Sequence, residues 1–181
     1  MTVNEHQFTK SEWLVRIFLY SCVLLTVFKL IMLFADSRKA AYQSEAKTYI
    51  GSINRGQQAY YLEKGKFVDF DSLSKLGLVI HPETENYSYR IISPMMPMQT
   101  LDKSEQIDNN FKQGAVAIAQ AKYPGLKQYI GAVFLAKEAE TQDEITKGIV
   151  CEVNAGVPLP STLPMLIDNE MQCPQGTEPL E

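Results

Sequence analysis

The side chains best placed for a covalent reaction are two cysteines, Cys151 and Cys173, which bracket a proline-bearing segment without a regular hydrophobic pattern. A disulfide between them would close this loop and stabilise the fold by about 3 kcal/mol in the loop-closure model. The alternative is a pair of buried free thiols, which the sequence alone leaves open. We favour the disulfide, and it predicts an oxidising compartment for this part of the chain.

The remaining candidate groups for binding or catalysis do not form a recognisable set. Asp168, Asn169 and Glu170 carry the oxygen ligands that calcium prefers, but three adjacent residues do not supply a full coordination sphere, so we predict no metal site. His6 and His81 are far apart in the sequence, and surface positions are the simpler interpretation of both. Neither a nucleophile motif nor a phosphate- or dinucleotide-binding motif is present. We therefore predict no cofactor and no enzymatic activity.

The charge balance argues against nucleic acid as a partner. The chain has 17 lysines and arginines and 21 aspartates and glutamates, which give a net charge of -4. A nucleic-acid-binding protein usually carries a basic stripe or patch, and none is visible here. The length of 181 residues leaves room for one domain with its own core beside a membrane anchor.

The longest apolar stretch in the chain runs from residue 13 to residue 35 and contains two charges, Arg16 and Lys29. As a helix it is about 35 Å long, which is enough to cross a hydrocarbon core of about 30 Å. It is too long for a cleaved secretory signal and no small-residue cleavage site follows it, so we predict a transmembrane helix. Arg16 lies near one end and Lys29 about two turns from the other, so both can extend their charged groups to the membrane surface.

The flanking charges do not assign an orientation to this helix, because basic residues lie on both sides of it. These are Lys10, Arg16, Arg38, Lys39 and Lys47. The predicted disulfide decides instead, because it places the C-terminal part outside the cytoplasm. We therefore predict a single-pass inner-membrane protein with a short cytoplasmic tail (residues 1–12), a transmembrane helix (residues 13–35) and an extracytoplasmic domain (residues 36–181).

Helical periodicity continues beyond the apolar stretch as far as Lys64. Apolar and long side chains recur three and four positions apart, which predicts the buried face of an amphipathic helix. The members of this stripe are Ala46, Tyr49, Ile50, Ile53, Gln57, Tyr60 and Tyr61. Gly65 is well placed to end the helix, because glycine readily adopts the left-handed conformation at a helix C-terminus. We predict one nearly continuous helix from about Ser11 to Lys64, with its tyrosines packed on a sheet.

Four strands are predicted after the helix, at residues 86–92, 114–122, 129–137 and 146–153. The first alternates in polarity, as a half-buried strand does, whereas the second and third are more uniformly apolar, as in central strands. Short connections predict antiparallel pairing, and from Val153 onward we predict an irregular flap. The fold class is therefore α+β: a long N-terminal helix packed on a small antiparallel sheet of about four strands, with a disulfide-closed C-terminal loop.

Several strings in this sequence resemble the type IV pilin-like proteins, in particular the G/H-type family of cyanobacteria, and the pseudopilin-like proteins of general secretion. The similarity is carried by residues 44–67, 84–91, 123–134 and 173–177, together with Cys151. The resemblance implies a pilin-type fold, in which a protruding N-terminal helix, a four-stranded antiparallel sheet and a disulfide-closed C-terminal loop occur together.

The N-terminus carries a degenerate form of the family's processing motif. Prepilins have a glycine followed by Phe-Thr-Leu-Ile-Glu, are cut after the glycine and are methylated on the phenylalanine. Here Phe8 and Glu12 keep the family spacing, whereas Gln7 stands in place of the glycine. In the family the glutamate neutralises the new ammonium group of a neighbouring subunit; in an uncut chain Arg16, four residues after Glu12, offers a local partner. The resemblance thus implies processing or assembly roles for Gln7, Phe8 and Glu12.

The function predicted from these features is that of a minor pilin or pseudopilin, a structural protein that takes part in the assembly of a pilus or a protein-secretion machine. Its predicted partners are membrane lipid, other pilin-like subunits bound through the N-terminal helix, and prepilin peptidase. The charges of Arg16 and Lys29 would have to be accommodated in the helical core of a filament, which favours a minor over a bulk subunit. The alternative, favoured by Gln7 and the same charges, is a permanently membrane-anchored binding or scaffold module with a pilin fold.

Overall fold

The computed structural model describes residues 10–68, 75, 77–78, 81–92, 114–138, 141 and 143–180. The chain forms two compact units, one that ends at Ala40 and one that begins at Ala41. Helix α1 (Lys10–Lys64) contributes the apolar segment, residues 13–35, to the first unit and the packed segment, residues 41–64, to the second.

Helix α1 is one uninterrupted helix of 55 residues, which confirms the predicted continuity. No proline occurs within it, so the ladder of backbone hydrogen bonds is never broken. It ends at the predicted glycine: Gly65 has a φ of 64°, and its N–H donates to the carbonyl oxygen of Tyr61 at 2.8 Å.

Within the described part of the chain, five strands form one antiparallel sheet in the order β1-β2-β3-β4-β7. Their bounds are Tyr87–Ile92 for β1, Gly114–Ala121 for β2, Gln128–Lys137 for β3, Glu144–Val153 for β4 and Glu178–Pro179 for β7. A separate hairpin consists of β5 (Met165–Ile167) and β6 (Glu170–Gln172). The predicted α+β fold is confirmed, and β2 and β3 occupy the central positions that their apolar sequences predict.

Two details of the sequence prediction were wrong. Strand β4 begins at Glu144 rather than at Thr146, because Glu144 and Ile145 continue the ladder with β3. The segment after Val153 is not an irregular flap throughout, because it contains the β5–β6 hairpin and the edge strand β7. These strands are two or three residues long, which is too short for an alternating pattern to reveal them.

Both faces of the sheet are covered within the second unit. The packed segment covers one face, where Ala46, Ile50 and Ile53 are buried against residues of β1, β2 and β3. Side chains between Leu159 and Cys173 cover the other face and pack on the remaining apolar residues of β2, β3 and β4. Burial on both sides explains why β2 and β3 lack a polar face.

The helix lies close to β3 at Gly131. A Cβ atom at this position would be 2.5 Å from Ile50 Cγ2 and 2.6 Å from Asn54 Oδ1, so a larger residue would displace the helix. Small residues also face the helix from the neighbouring strand β2: Ala115, Ala117 and Ala119. Small side chains on the sheet therefore make room for the larger ones of the packed segment.

Cys151 and Cys173 form the predicted disulfide, with their Cα atoms 5.7 Å apart. Cys151 is fully buried on β4, and Cys173 follows directly after β6. The bond therefore ties the C-terminal covering segment to the sheet, and the alternative of two free thiols is wrong.

Candidate anchoring and assembly site

The apolar segment of α1 is exposed on every side. Its large hydrophobic side chains are between 45 and 70 % exposed, from Ile17 at the lower limit to Tyr20 at the upper. Among the described residues, one helix has the length and composition to cross a membrane, and this segment gives it a mean hydropathy of 2.4 over its most apolar window. A continuous apolar surface of this size requires lipid or other apolar helices around it.

Two hydroxyl groups, one within the apolar segment and one directly after it, are satisfied by the helix itself. Thr26 Oγ1 donates to the carbonyl oxygen of Val23 at 2.8 Å, and Ser37 Oγ donates to that of Leu33 at 3.0 Å. These side chains therefore need no water, which reduces the cost of placing them in hydrocarbon.

The packed segment is attached to the sheet by a buried carboxylate, Glu152 on β4. One of its oxygens accepts a hydrogen bond from Lys127 Nζ, and the other lies 3.4 Å from Lys47 Nζ on the helix, as an ion pair without hydrogen-bond geometry. Burial by itself would raise the pKa of Glu152, but the hydrogen bond and charge of Lys127, together with Lys47, hold that pKa below its usual value. Glu152 therefore stays ionised at neutral pH and links α1, β4 and the loop before β3.

Aromatic rings surround this ion cluster. Lys47 Nζ lies 5.7 Å from the centroid of the Tyr129 ring, within the range of a cation–π interaction. Tyr87 donates to the carbonyl oxygen of Lys127 at 2.9 Å, and burial raises the pKa of Tyr87 to about 12. Burial also raises the pKa of Tyr129. Both phenols are therefore neutral at physiological pH, and the charge in this region is carried by the carboxylate and its lysines.

Three amide side chains of the packed segment bind the backbone opposite them. Asn54 and Gln58 donate to carbonyl oxygens of β4 at 2.9 and 3.0 Å. Gln57 donates to the carbonyl oxygen of Val68 at 2.7 Å and accepts from the N–H of the same residue at 3.0 Å. Asn54 and Gln58 thus fix the position of the helix on the sheet, whereas Gln57 holds the chain that follows the helix.

The second unit therefore joins an amphipathic helix, an antiparallel sheet and a disulfide-tied C-terminal segment, and the same helix carries an exposed apolar segment. A family model described as type IV pilin-like G and H matches residues 43–174. The chain belongs to the type IV pilin-like G and H family. No curated protein and no solved structure matches it.

Membership of the type IV pilin-like family confirms the resemblance found in the sequence. The family is structural rather than enzymatic, and it implies membrane association and assembly with other pilin subunits. The apolar segment fits a single-pass membrane protein of this family. The matched region begins at residue 43, so it includes the packed segment except for its first two residues, and the apolar segment precedes it.

The predicted processing residues are placed only in part. Gln7 and Phe8 lie outside the described residues, as does His6. Glu12 lies in the first turn of α1, and its side chain is outside the described part. Their roles in processing and assembly stay predictions.

Asp168, Asn169 and Glu170, considered above as calcium ligands, lie at the turn of the β5–β6 hairpin. Asp168 and Asn169 have φ values of 49° and 67°, which suits a tight two-residue hairpin turn. The side chain of Asn169 accepts from the N–H of Lys137 at 3.0 Å and donates to its carbonyl oxygen at 2.6 Å. Lys147 Nζ donates to the carbonyl oxygen of Asn169 at 2.8 Å. These polar residues turn the chain and dock the hairpin on β3 and β4.

A groove beside the ion cluster brings no catalytic set together among the described residues. It is an open groove of about 470 Å³ between α1 and β4, lined by Lys47, Gly51, Asn54, Arg55, Gln58, Gly148, Ile149, Val150 and Leu180. None of these described lining residues carries a carboxylate, an imidazole or a thiol. Within the described ranges, no three His, Cys, Asp or Glu side chains converge as they would to hold a metal ion. The groove therefore gives no support to an enzymatic reaction.

Sequence reasoning missed Glu152, Lys127 and Asn54. Glu152 could have been noticed, because it is a charged residue between the apolar residues Cys151 and Val153 at the buried end of β4. Its partner Lys47 could not have been identified, because a lysine on the polar side of an amphipathic helix gives no sign of a contact with a distant strand. Of the predicted tyrosine stripe, Tyr49 and Tyr61 pack against the core, and Tyr49 lies 5.2 Å from Tyr89 between ring centroids.

Proposed function

We propose that this pilin-like protein is a minor pilin or pseudopilin, a subunit that takes part in the assembly of a pilus or secretion machine. The observation that carries the proposal is the exposed apolar segment of α1, which is continuous with a helix packed on a folded domain. Such a segment can leave lipid for a bundle of similar helices without unfolding the domain. The charges Arg16 and Lys29 favour a minor subunit, because each has to be compensated wherever it enters an apolar core.

The proposed topology places residues 1–12 in the cytoplasm, residues 13–35 in the inner membrane and residues 36–181 in the periplasm or outside the cell. The disulfide supports it, because such bonds form and persist outside the reducing cytoplasm. Prepilin peptidase is a proposed partner, acting between Gln7 and Phe8.

The test is purification of the full chain from native membranes after mild chemical cross-linking, with mass spectrometry of the proteins that accompany it. We expect pilin-like subunits to co-purify with the wild type. They should be reduced severalfold with Leu24→Asp, which places a charge at the middle of the apolar segment. Leu62→Asp is the matched control, because Leu62 is 77 % exposed on the packed segment of the same helix and its replacement should leave the partners unchanged.

A permanently anchored scaffold module is the second candidate, favoured by Gln7 in place of the glycine before the cleavage point. The mass of the mature N-terminal peptide separates the two. A chain that begins at N-methylated Phe8 supports the processed subunit. An intact N-terminus together with the absence of pilin-like partners would support the scaffold instead.

A further inference from the structure

Two opposite charges lie on one side of α1, at and near the end of the apolar segment. Lys29 is inside this segment, and Asp36 follows directly after it. The two residues are seven positions apart, so they are two helical turns and about 10 Å apart along the axis and point in nearly the same direction. Both are exposed.

Neither charge has an ion-pair partner in its own chain, as far as the described residues extend. Side chains on a helix lean toward its N-terminus, so Lys29 and Asp36 lean in the same direction and their lean does not shorten the axial distance between them. In a lipid bilayer Lys29 can extend its ammonium group to the membrane surface. When neighbouring helices replace the lipid, that surface is lost, and an unpaired ammonium group in an apolar bundle is costly.

We propose that Lys29 of one copy binds Asp36 of a second copy that lies parallel to it and is displaced along the helix axis by seven residues, about 10 Å. The inference rests on the proposed function, because it specifies the helix contact of a subunit that assembles. Copies inserted by the same route have the same orientation, so an antiparallel pair does not arise. A parallel pair without displacement would place Lys29 beside Lys29, where like charges repel.

The displacement along the axis separates two states of the chain: an assembled copy is raised relative to its neighbour, whereas copies that are only inserted in the membrane lie at the same depth. Two copies at the same depth in the bilayer cannot bring these groups level, so the contact requires one copy to be raised by about two helical turns. Lys29 of the raised copy then meets Asp36 of the lower one. Asp36 of the raised copy and Lys29 of the lower one stay available, so the contact does not close on itself.

Cysteine cross-linking of the full chain in native membranes tests the register. In a Cys22→Ser background, one tagged copy carries Leu25→Cys and a second, differently tagged copy carries Met32→Cys. These positions are seven residues apart and precede Lys29 and Asp36 by one turn, so both charges are retained. We expect a copy with Leu25→Cys to cross-link to a copy with Met32→Cys severalfold more than two copies with the same substitution cross-link to each other. Val27→Cys with Phe34→Cys is the matched control, also seven residues apart but on the opposite side of the helix, and should cross-link severalfold less.

Charge exchange tests the pair itself. Asp36→Lys in the copy with Met32→Cys should lower the cross-link between unlike copies about tenfold or more, because it places two cations at the same level of the contact, where they repel. Adding Lys29→Asp to the other copy should restore the cross-link. A yield that does not respond to these charges would overturn the inference.

The failure of the inference can be told apart from that of the proposed function. Cross-links mainly between like copies would show an undisplaced contact, which overturns the inference and leaves assembly intact. The absence of any cross-link between copies, while other pilin-like subunits still co-purify with the wild type, overturns the second copy as the partner and leaves the proposed function standing. If no cross-link forms between copies and no pilin-like subunit co-purifies with the wild type, both the inference and the proposed function are overturned.

Discussion

The apolar segment and the packed segment belong to one continuous helix, yet their side chains meet opposite surroundings. In the apolar segment every large hydrophobic side chain is exposed, whereas in the packed segment Ala46, Ile50 and Ile53 are almost completely buried on the sheet. The packed segment is further fixed by Asn54 and by the ion pair of Lys47. One continuous helix can therefore suit both an apolar environment outside the domain and the surface of a sheet. Its backbone hydrogen bonds are the same in both, and only the pattern of side chains has to change.

The largest effect is expected from charges placed in each segment. Ile50→Asp buries an unpaired carboxylate against Gly131 and should destabilise the domain of the full chain by about 3–5 kcal/mol, measured by denaturant unfolding in detergent. Leu24→Asp should leave that unfolding unchanged but reduce the fraction of chain that resists alkaline extraction from membranes, because a central carboxylate costs about 2.5–3.5 kcal/mol there. If Leu24→Asp destabilised the domain as much as Ile50→Asp, the two segments would not be independent.

A smaller effect is expected from filling the close contact between the packed segment and β3. Gly131→Ala places a methyl group 2.5 Å from Ile50 Cγ2, and overpacking of this kind should cost about 1–3 kcal/mol of unfolding free energy. Gly148→Ala is the control on the neighbouring strand, where the nearest atom to a new Cβ is 3.6 Å away. Its cost should stay within about 0.5 kcal/mol, so equal costs at the two positions would contradict the close approach described here.

The smallest effect is expected from the ion cluster under the packed segment. Glu152→Gln should lower stability at pH 7 by about 1 kcal/mol, a modest value because both lysines are partly exposed. The pKa of Glu152 is lowered in the folded state, so its contribution is fully present above the unfolded pKa and is lost as the pH falls through the folded pKa. The stabilities of wild type and Glu152→Gln, measured by urea unfolding from pH 7 downward, should begin to approach each other below the unfolded pKa of about 4.5 and meet below the lower, folded pKa. A difference that stayed constant into acid would show that the carboxylate charge is not responsible.

Most of the fold could be predicted because its signals are periodic and local. The apolar segment, the stripe through Ile50 and Ile53, and the apolar strands β2 and β3 each repeat over enough residues to be read from the sequence. The missed features depend on pairs of residues far apart in the chain, such as Lys47 with Glu152, or on strands of two or three residues. The candidate site divides in the same way: the length of the apolar segment predicts a membrane span, but no periodicity reveals which partners its charges meet.

The contacts of Asn54 also set the timing of folding during synthesis. This residue binds carbonyl oxygens that follow it by 78 and 95 positions in the chain. At elongation rates of about 5–20 residues per second, the packed segment waits roughly 5–20 seconds for the strands that cover it. The apolar segment leaves the ribosome earlier and needs only lipid. The membrane therefore receives the first part of the helix while the second part, still without its sheet, has to be kept from aggregation.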